Sequence, residues 1–368
     1  MITDNIGLYI HIPFCRSKCP YCDFYSFIAD DASKKAYTDA VIECIKSDYT
    51  KYKRKADTLY IGGGTPSSLE TDDLVKIINT AKETFLTDDA EITIECNPYD
   101  ASFELFSKLY DASVNRISMG MQSANDIERK KLGRRSSRED ITKAVTNAKK
   151  AGISNISLDL MLGIPSQSEE SLLSSLDFCI SLDIPHISAY ILKIEEATPF
   201  YKLQSKLNLP SDDEVADMYL VTCDYLSSHG IKQYEISNFA KEGFESKHNL
   251  KYWNCLEYLG IGPAAHSFID GKRFFYDRDF TSFVNAGLSP VYDGQGGSFS
   301  EYVMLGLRLC QGISDEQTVK RFGHKMPDKL IKAAEKYIDN GFMEHENGNL
   351  KLTAKGFLLS NTILADIL

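Results

Sequence analysis

Between Tyr9 and Ser26 the chain reads YIHIPFCRSKCPYCDFYS, which sets Cys15, Cys19 and Cys22 four and three residues apart. Thiols packed so closely in a short loop invite a metal. The nine cysteines are odd in number and scattered over 368 residues, with no export signal, so they suit reduced thiols better than a disulfide framework. Two metal chemistries are open. Three thiolates plus His11 could complete the tetrahedral set of a structural zinc. Alternatively, the three could hold a 4Fe-4S cluster, which has four irons and ordinarily takes four thiolates. Three ligands leave one iron open, and an open iron can hold a small chelating cofactor through its amino and carboxylate groups. His11 lies inside a run of alternating β-formers whose period turns it away from the loop. A zinc site also leaves the glycine-rich and acidic loops farther along unexplained.

These residues need elements to position them. Short β-branched or aromatic runs recur as LYIHI near Tyr9, TLYIG near Tyr60, EITIE near Ile94, RISMG near Ile117, ISLDL near Leu158 and HISAYIL near Tyr190. Amphipathic stretches lie between them, among them KKAYTDAVIECIKSDY from Lys34, TDDLVKIINTAKETF from Thr71 and SEESLLSSLDFCISL from Ser168. Strands alternating with helices predict a parallel sheet in an α/β fold, a complete or partial (β/α) barrel. In such barrels the site is built at the carboxyl ends of the strands. Nearly every strand here is followed there by distinctive chemistry: the three cysteines, GGGTPS at Gly62, Glu95 with Asn97 and Pro98, Gln122 in MGMQS, Asp159 with GIPSQ, and Glu195. GGGTPS lacks the Gly-Lys-Ser/Thr ending of a phosphate loop, so it reads as a loop for close backbone approach to a ligand.

The sequence divides into a barrel over residues 1–235, a connecting segment over 236–290 lying against it, and a C-terminal domain over 291–368. The last reads as helices, two short strands joined by Asn347-Gly348 and a final helix, a winged-helix-like α+β arrangement. Residues 301–368 hold nine Lys or Arg against nine Asp or Glu, and the whole chain carries a formal charge of -11, both of which argue against nucleic acid as a partner. No apolar run approaches the roughly 20 residues of a membrane span, and the start, MITDNIGLYI, lacks signal-peptide features. A cytoplasmic location is expected.

CRSKCPYC, with Tyr21 just before its third cysteine, resembles the CxxxCxxC motif of radical S-adenosylmethionine (SAM) enzymes. YIHIPFC, GGGTPS, the Glu-x-Asn-Pro at Glu95, NRISMGMQS, LGR at Leu132 and HNLKYW at His248 resemble, more narrowly, the branch holding oxygen-independent coproporphyrinogen III oxidase and the haem chaperone HemW family; LTAKGFLLSN resembles that branch's C-terminal domain. The resemblance spans essentially the whole chain. It implies a radical-SAM barrel with Cys15, Cys19 and Cys22 on the cluster and SAM held by Tyr9, Tyr21, Gly64, Thr65, Glu95, Gln122, Arg134 and Asp159. Glu95 and Asp159 can accept from hydroxyls or an ammonium, and Arg134 can pair with a carboxylate.

Within that branch the oxidase pattern continues with another cysteine two residues after the third, where this chain has Phe24 following Asp23. It also carries a long N-terminal segment, whereas only a handful of residues precede the first strand here. HNLKYW matches the chaperones' HNxxYW. The resemblance therefore implies a haem chaperone, with haem, a haem-accepting protein and a low-potential electron donor as partners. His248 is the expected axial ligand, Tyr252 and Trp253 the flat surface beside it, and His266 in GPAAHS the reserve. Ser136, Leu162 and Ser166 depart from the family's usual residues, but none is a cluster or SAM candidate. Reductive SAM cleavage fits this reading; oxidation of coproporphyrinogen III is expected to be absent.

Overall fold

The computed structural model describes residues 5–286 and 289–368. Six strands, β1 (Ile6–Ile12), β2 (Ala56–Gly63), β3 (Leu86–Cys96), β4 (Arg116–Gln122), β5 (Asn155–Leu162) and β6 (His186–Ile191), pair in that order, all parallel. Helices connect them, so the arrangement is the α/β partial barrel expected. It does not close on itself. The free edge of β6 is covered by an antiparallel pair, β7 (Lys232–Glu235) and β8 (Asn238–Ala240), and that of β1 by β9 (Tyr258–Ile261), which runs parallel to it. Beyond β9 the sheet continues through β10 (His266–Ile269), β11 (Lys272–Phe275) and β12 (Val291–Gln295), all antiparallel neighbours.

The period-two alternation of the sequence has two distinct consequences. On the outer face Ile6, Leu8, Ile10, Ile12, Leu59, Ile61, Ile94, Ile117, Ile156 and Leu158 are wholly buried beneath the helices. Each such side chain contributes on the order of 1.5–3 kcal/mol by burial, and truncating Ile117 to Ala costs about 2–5 kcal/mol. The inner face carries Tyr9, His11, Tyr60, Glu95, Arg116, Ser118, Asp159 and Ser188 instead. A barrel whose strands alternate apolar-out and polar-in has a polar interior, and a polar interior suits a ligand.

Helix ends follow their caps. The first helix covers Asp31–Tyr52, three residues earlier than its apolar pattern suggests, because the Asp30 side chain accepts from the amide of Ser33 at 2.8 Å. Glu169–Ser181 begins after Ser168, which forms a reciprocal capping box with Ser171.

The segment 236–290 departs from the expectation of a connector lying against the barrel. It supplies strands on both flanks and the helix Lys247–Trp253 beneath the barrel. Its strands are three or four residues long and separated by tight turns, too short for a period to register. β12 starts at Val291, inside the stretch read as C-terminal domain, and belongs to the large sheet. The C-terminal domain itself has the expected order: helices Asp315–Phe322 and Asp328–Asp339, then β14 (Met343–Glu346) and β15 (Asn349–Leu352), with β13 (Ile313–Ser314) completing a small sheet. Asn347 and Gly348 turn the hairpin at φ 51° and 72°, the two left-handed positions of a two-residue turn. Arg321 ties the domain to the barrel by donating to the carbonyls of Asn254 and Cys255 at 2.9 and 2.5 Å.

Candidate functional site

The cysteine loop leaves β1 over an aromatic base. Phe14 is fully buried, with Phe27, Tyr37 and Phe280 meeting its ring edge-on at 5.2–5.9 Å between centroids. Backbone bonds from Cys15 to Phe27 and from Phe27 to Pro13 staple the loop's two ends together. All three cysteines are free and half-buried, and they face a cavity of about 640 Å³ that runs down into the barrel. Cys15 Sγ lies 3.6 Å from Thr65 Oγ1, and burial pushes the Cys22 thiol up. His11 turns inward: its Nδ1 meets the Tyr9 hydroxyl at 3.0 Å and its Nε2 the carbonyl of Tyr25 at 2.8 Å. Neither ring nitrogen is offered to the thiols.

Seven of the eight SAM candidates, Tyr21, Gly64, Thr65, Glu95, Gln122, Arg134 and Asp159, line that cavity. Glu95 accepts from the Tyr60 hydroxyl at 2.8 Å and from the amide of Gly63 at 3.1 Å, and burial pushes its carboxyl up to about 7. Asp159 accepts from Ser118 at 3.1 Å, and burial raises it to about 6. Arg134 donates from Nε to the Tyr21 hydroxyl at 3.1 Å, which leaves its terminal nitrogens for a ligand. Gly120 makes room for it, since a Cβ there would stand 2.8 Å from Gln122 Nε2 and 3.0 Å from an Arg134 nitrogen. Gln122 itself is held at φ 69°, where β4 shifts register against β5. Such a conformation costs on the order of 1–3 kcal/mol in a non-glycine residue.

Tyr9 is the exception among the eight. Its ring lies beside those of Tyr60 and His248, its hydroxyl is taken by His11, and it does not line the cavity. The glycines of GGGTPS, read as a loop for close approach to a ligand, are also required by the packing around them. A Cβ on Gly64 would meet the carbonyl oxygens of Phe14 and Ile12 at 2.6 and 2.8 Å, and one on Gly62 would meet the Glu95 carboxyl at 2.8 Å. Backbone cannot yield as a side chain can, so Gly64 is required by the cysteine loop itself.

His248, the expected haem ligand, does not line that cavity. It is fully buried under the barrel, Nδ1 bonded to Thr58 Oγ1 and Nε2 to the Tyr252 hydroxyl, both at 2.8 Å. Burial lowers its pKa to about 3, so the ring is neutral, and each of its nitrogens meets a hydroxyl. Tyr252 is occupied by that bond, and the Trp253 ring lies under the guanidinium of Arg308, 5.6 Å away, at the seam with the C-terminal domain. The residue of HNLKYW that does reach the cavity is Asn249. Tyr60, Arg116, Ser118, Ser188 and Tyr190 line it too and were not anticipated; Tyr60, Ser118 and Ser188 stand directly across from Tyr9, Glu95 and Asp159, and Arg116 and Tyr190 share the inward face of β4 and β6, so inward alternation was the available signal.

Three free thiols over a cavity that also presents carboxylates, an amide and a guanidinium suit a cluster with an open iron and a zwitterionic nucleoside ligand. Residues 9–179 match the Radical SAM superfamily and residues 299–359 match the HemN C-terminal domain. The fold is similar to that of Escherichia coli coproporphyrinogen III oxidase (HemN), described as a radical SAM enzyme, with a TM-score of 0.85 at 21% identity over 99% of this chain and 90% of that one. Fold and site thus define a radical SAM protein. The heme chaperone HemW of Bacillus subtilis (strain 168) is 34% identical over 98% of both chains, and that of Haemophilus influenzae is 39% identical over 76% of this chain and 73% of its own. This chain belongs to the HemW family.

Proposed function

We propose that this protein is a haem chaperone: it binds haem and passes it to an acceptor protein, on a barrel that carries a 4Fe-4S cluster and SAM. The observation that carries the reading is the convergence of Cys15, Cys19 and Cys22 with Glu95, Gln122, Arg134 and Asp159 on one cavity, in a chain collinear with HemW proteins over 98% of its length. The three thiolates hold the cluster at the cavity mouth. Arg134 takes the SAM carboxylate, Glu95 its ammonium, and Asp159 and Gln122 the ribose and adenine edges. When bound, this pair supplies one-electron cleavage of a carbon–sulfur bond at the sulfonium. The chain's contribution is orientation: Tyr21 fixes the Arg134 plane, Tyr60 and Gly63 fix the Glu95 carboxylate, and the aromatic base around Phe14 holds the loop.

For the haem iron, His266 replaces His248 in this reading. His266 opens β10 at an exposed position, with Phe275 and then Val291 across from it at the same register on β11 and β12. The His266 and Phe275 rings are 5.6 Å apart, and Val291 is 38% exposed. Burial lowers the His266 pKa, which keeps the imidazole neutral and able to ligate. A histidine beside an exposed apolar row suits one face of a porphyrin.

The oxidase alternative shares the fold. Against it stands Phe24, 69% exposed at the cavity mouth where the oxidase pattern has a cysteine. A low-potential electron donor serves the cluster, and a cytoplasmic setting suits both the thiols and the absence, among the described residues, of a helix long and apolar enough to cross a membrane. The test is anaerobic reconstitution, then haem titration and a coproporphyrinogen III assay on one sample. One saturable Soret band per chain and no loss of substrate carboxyl groups is the expected result. Decarboxylation, or no saturable band, overturns the reading.

A further inference from the structure

Arg116, the first residue of β4, is 2% exposed and lines the lower part of the barrel cavity. Its Nε has no hydrogen-bond partner, and its guanidinium forms no ion pair among the described residues. The contrast is Arg129, equally buried, whose guanidinium donates to the carbonyls of Ser136 and Ser123 and to Asp126. A buried guanidinium with a hydrogen-bonding group left unmet is costly.

Glu95 and Asp159 on the neighbouring strands lie close enough for the Arg116 charge to lower their pKa values against the rise from burial, but the hydrogen bonds of the inward carboxylates go elsewhere. Glu91 takes the amides of Lys247 and His248 at 3.1 Å each. Glu95 takes Tyr60 and Gly63, and Asp159 takes Ser118. At the same register as Arg116 stand Thr93 on β3 and Asn155 on β5, and each has a buried oxygen, Thr93 Oγ1 and Asn155 Oδ1, that is likewise unpartnered. Three adjacent strands therefore hold unmet hydrogen-bonding groups at one level. Asn249 adds an amide from below, and the ring of Tyr190, 41% exposed, turns to the same cavity.

We infer that the floor of the barrel cavity is a binding compartment for a small monocarboxylate, with Arg116 as its anchor. The guanidinium presents paired donors that match a carboxylate. A single negative charge fits better than a phosphate dianion, because three acids lie on the flanking strands. Tyr60 and Tyr190 offer flat walls for an apolar body. The compartment lies below Arg134 and the cysteine loop and does not depend on the haem reading.

The test uses the full chain with its cluster reconstituted, and benzoate as the probe. Benzoate should raise the thermal unfolding midpoint along a saturable curve, and benzamide, its neutral isostere, should not. Arg116→Gln should weaken the apparent affinity by about tenfold or more, the loss expected for charge-assisted hydrogen bonds. Asn155→Asp keeps the side-chain shape and sets a carboxylate beside the guanidinium, so it should raise the ligand-free midpoint and abolish the benzoate response. That variant decides the matter where Arg116→Gln does not fold. Benzoate acting no differently from benzamide overturns the inference, as does a response that survives Asn155→Asp or Arg116→Gln unchanged.

Discussion

The Tyr60 hydroxyl donates to Glu95 Oε1 at 2.8 Å, and with the Gly63 amide on Oε2 it holds that carboxylate in a single orientation within the cavity. Both donors come from β2, one strand away, so the carboxylate is positioned before any ligand arrives. Tyr60→Phe removes one of two donors without changing the ring. SAM affinity should fall by about 1–1.5 kcal/mol, roughly five- to tenfold, with the cluster's visible absorption unchanged. Equilibrium binding under anaerobic conditions checks it; an unchanged affinity sinks the role given to this pair.

SAM binding should strengthen as pH rises from 6 to 8. Glu95 is raised to about 7 and Asp159 to about 6, in both cases chiefly by burial, so part of the site is protonated at neutral pH. A ligand ammonium prefers the ionised Glu95, and below pH 7 its binding must release that proton. In the ligand-free chain the sign is opposite. A carboxyl whose folded pKa lies above its unfolded value adds stability at low pH and loses it as pH rises through about 7. Glu95→Gln should flatten the affinity profile between pH 6 and 8, and titration calorimetry in two buffers of different ionisation heat reads the proton directly.

How much of this was legible in the sequence depends on range. The six parallel strands and the rim chemistry could be read because period-two runs such as LYIHI and EITIE mark both the strand and its inward residues. The cysteine spacing was legible for the same local reason. What escaped was set by pairing across the fold. Nothing near His248 announces that Thr58 and Tyr252 occupy both its nitrogens, and nothing near Gly64 announces the carbonyl of Phe14. The flanking strands β7 to β12 are too short to carry a period, so a sheet extension read as a connector.

Cys15→Ala, Cys19→Ala and Cys22→Ala should each abolish the cluster, measured as iron, sulfide and visible absorption after anaerobic reconstitution. Cys96, Cys179 and Cys255 are buried in the apolar core, and Ala at any of them should cost about 1 kcal/mol of stability yet leave the cluster intact. Full cluster content in a Cys19→Ala protein would show that the loop is not the ligand set.

The two histidines should separate stability from haem. His248 loses two buried hydrogen bonds and leaves a cavity on replacement, so His248→Ala should cost about 2–4 kcal/mol by denaturant unfolding. Its folded pKa, about 3, lies below the ordinary 6.5. The unfolded chain therefore binds the proton first, and stability should fall as pH drops from 6.5 toward 3, a slope that His248→Ala removes. The haem Soret band should persist in that variant. His266 is exposed at the start of β10 and has no such buried partners, so His266→Ala should leave the unfolding midpoint nearly unchanged and shift or abolish the band. The opposite pattern, a band lost with His248 and kept with His266, would mean that the helix Lys247–Trp253 opens to admit haem, and the ligand assignment would return to HNLKYW.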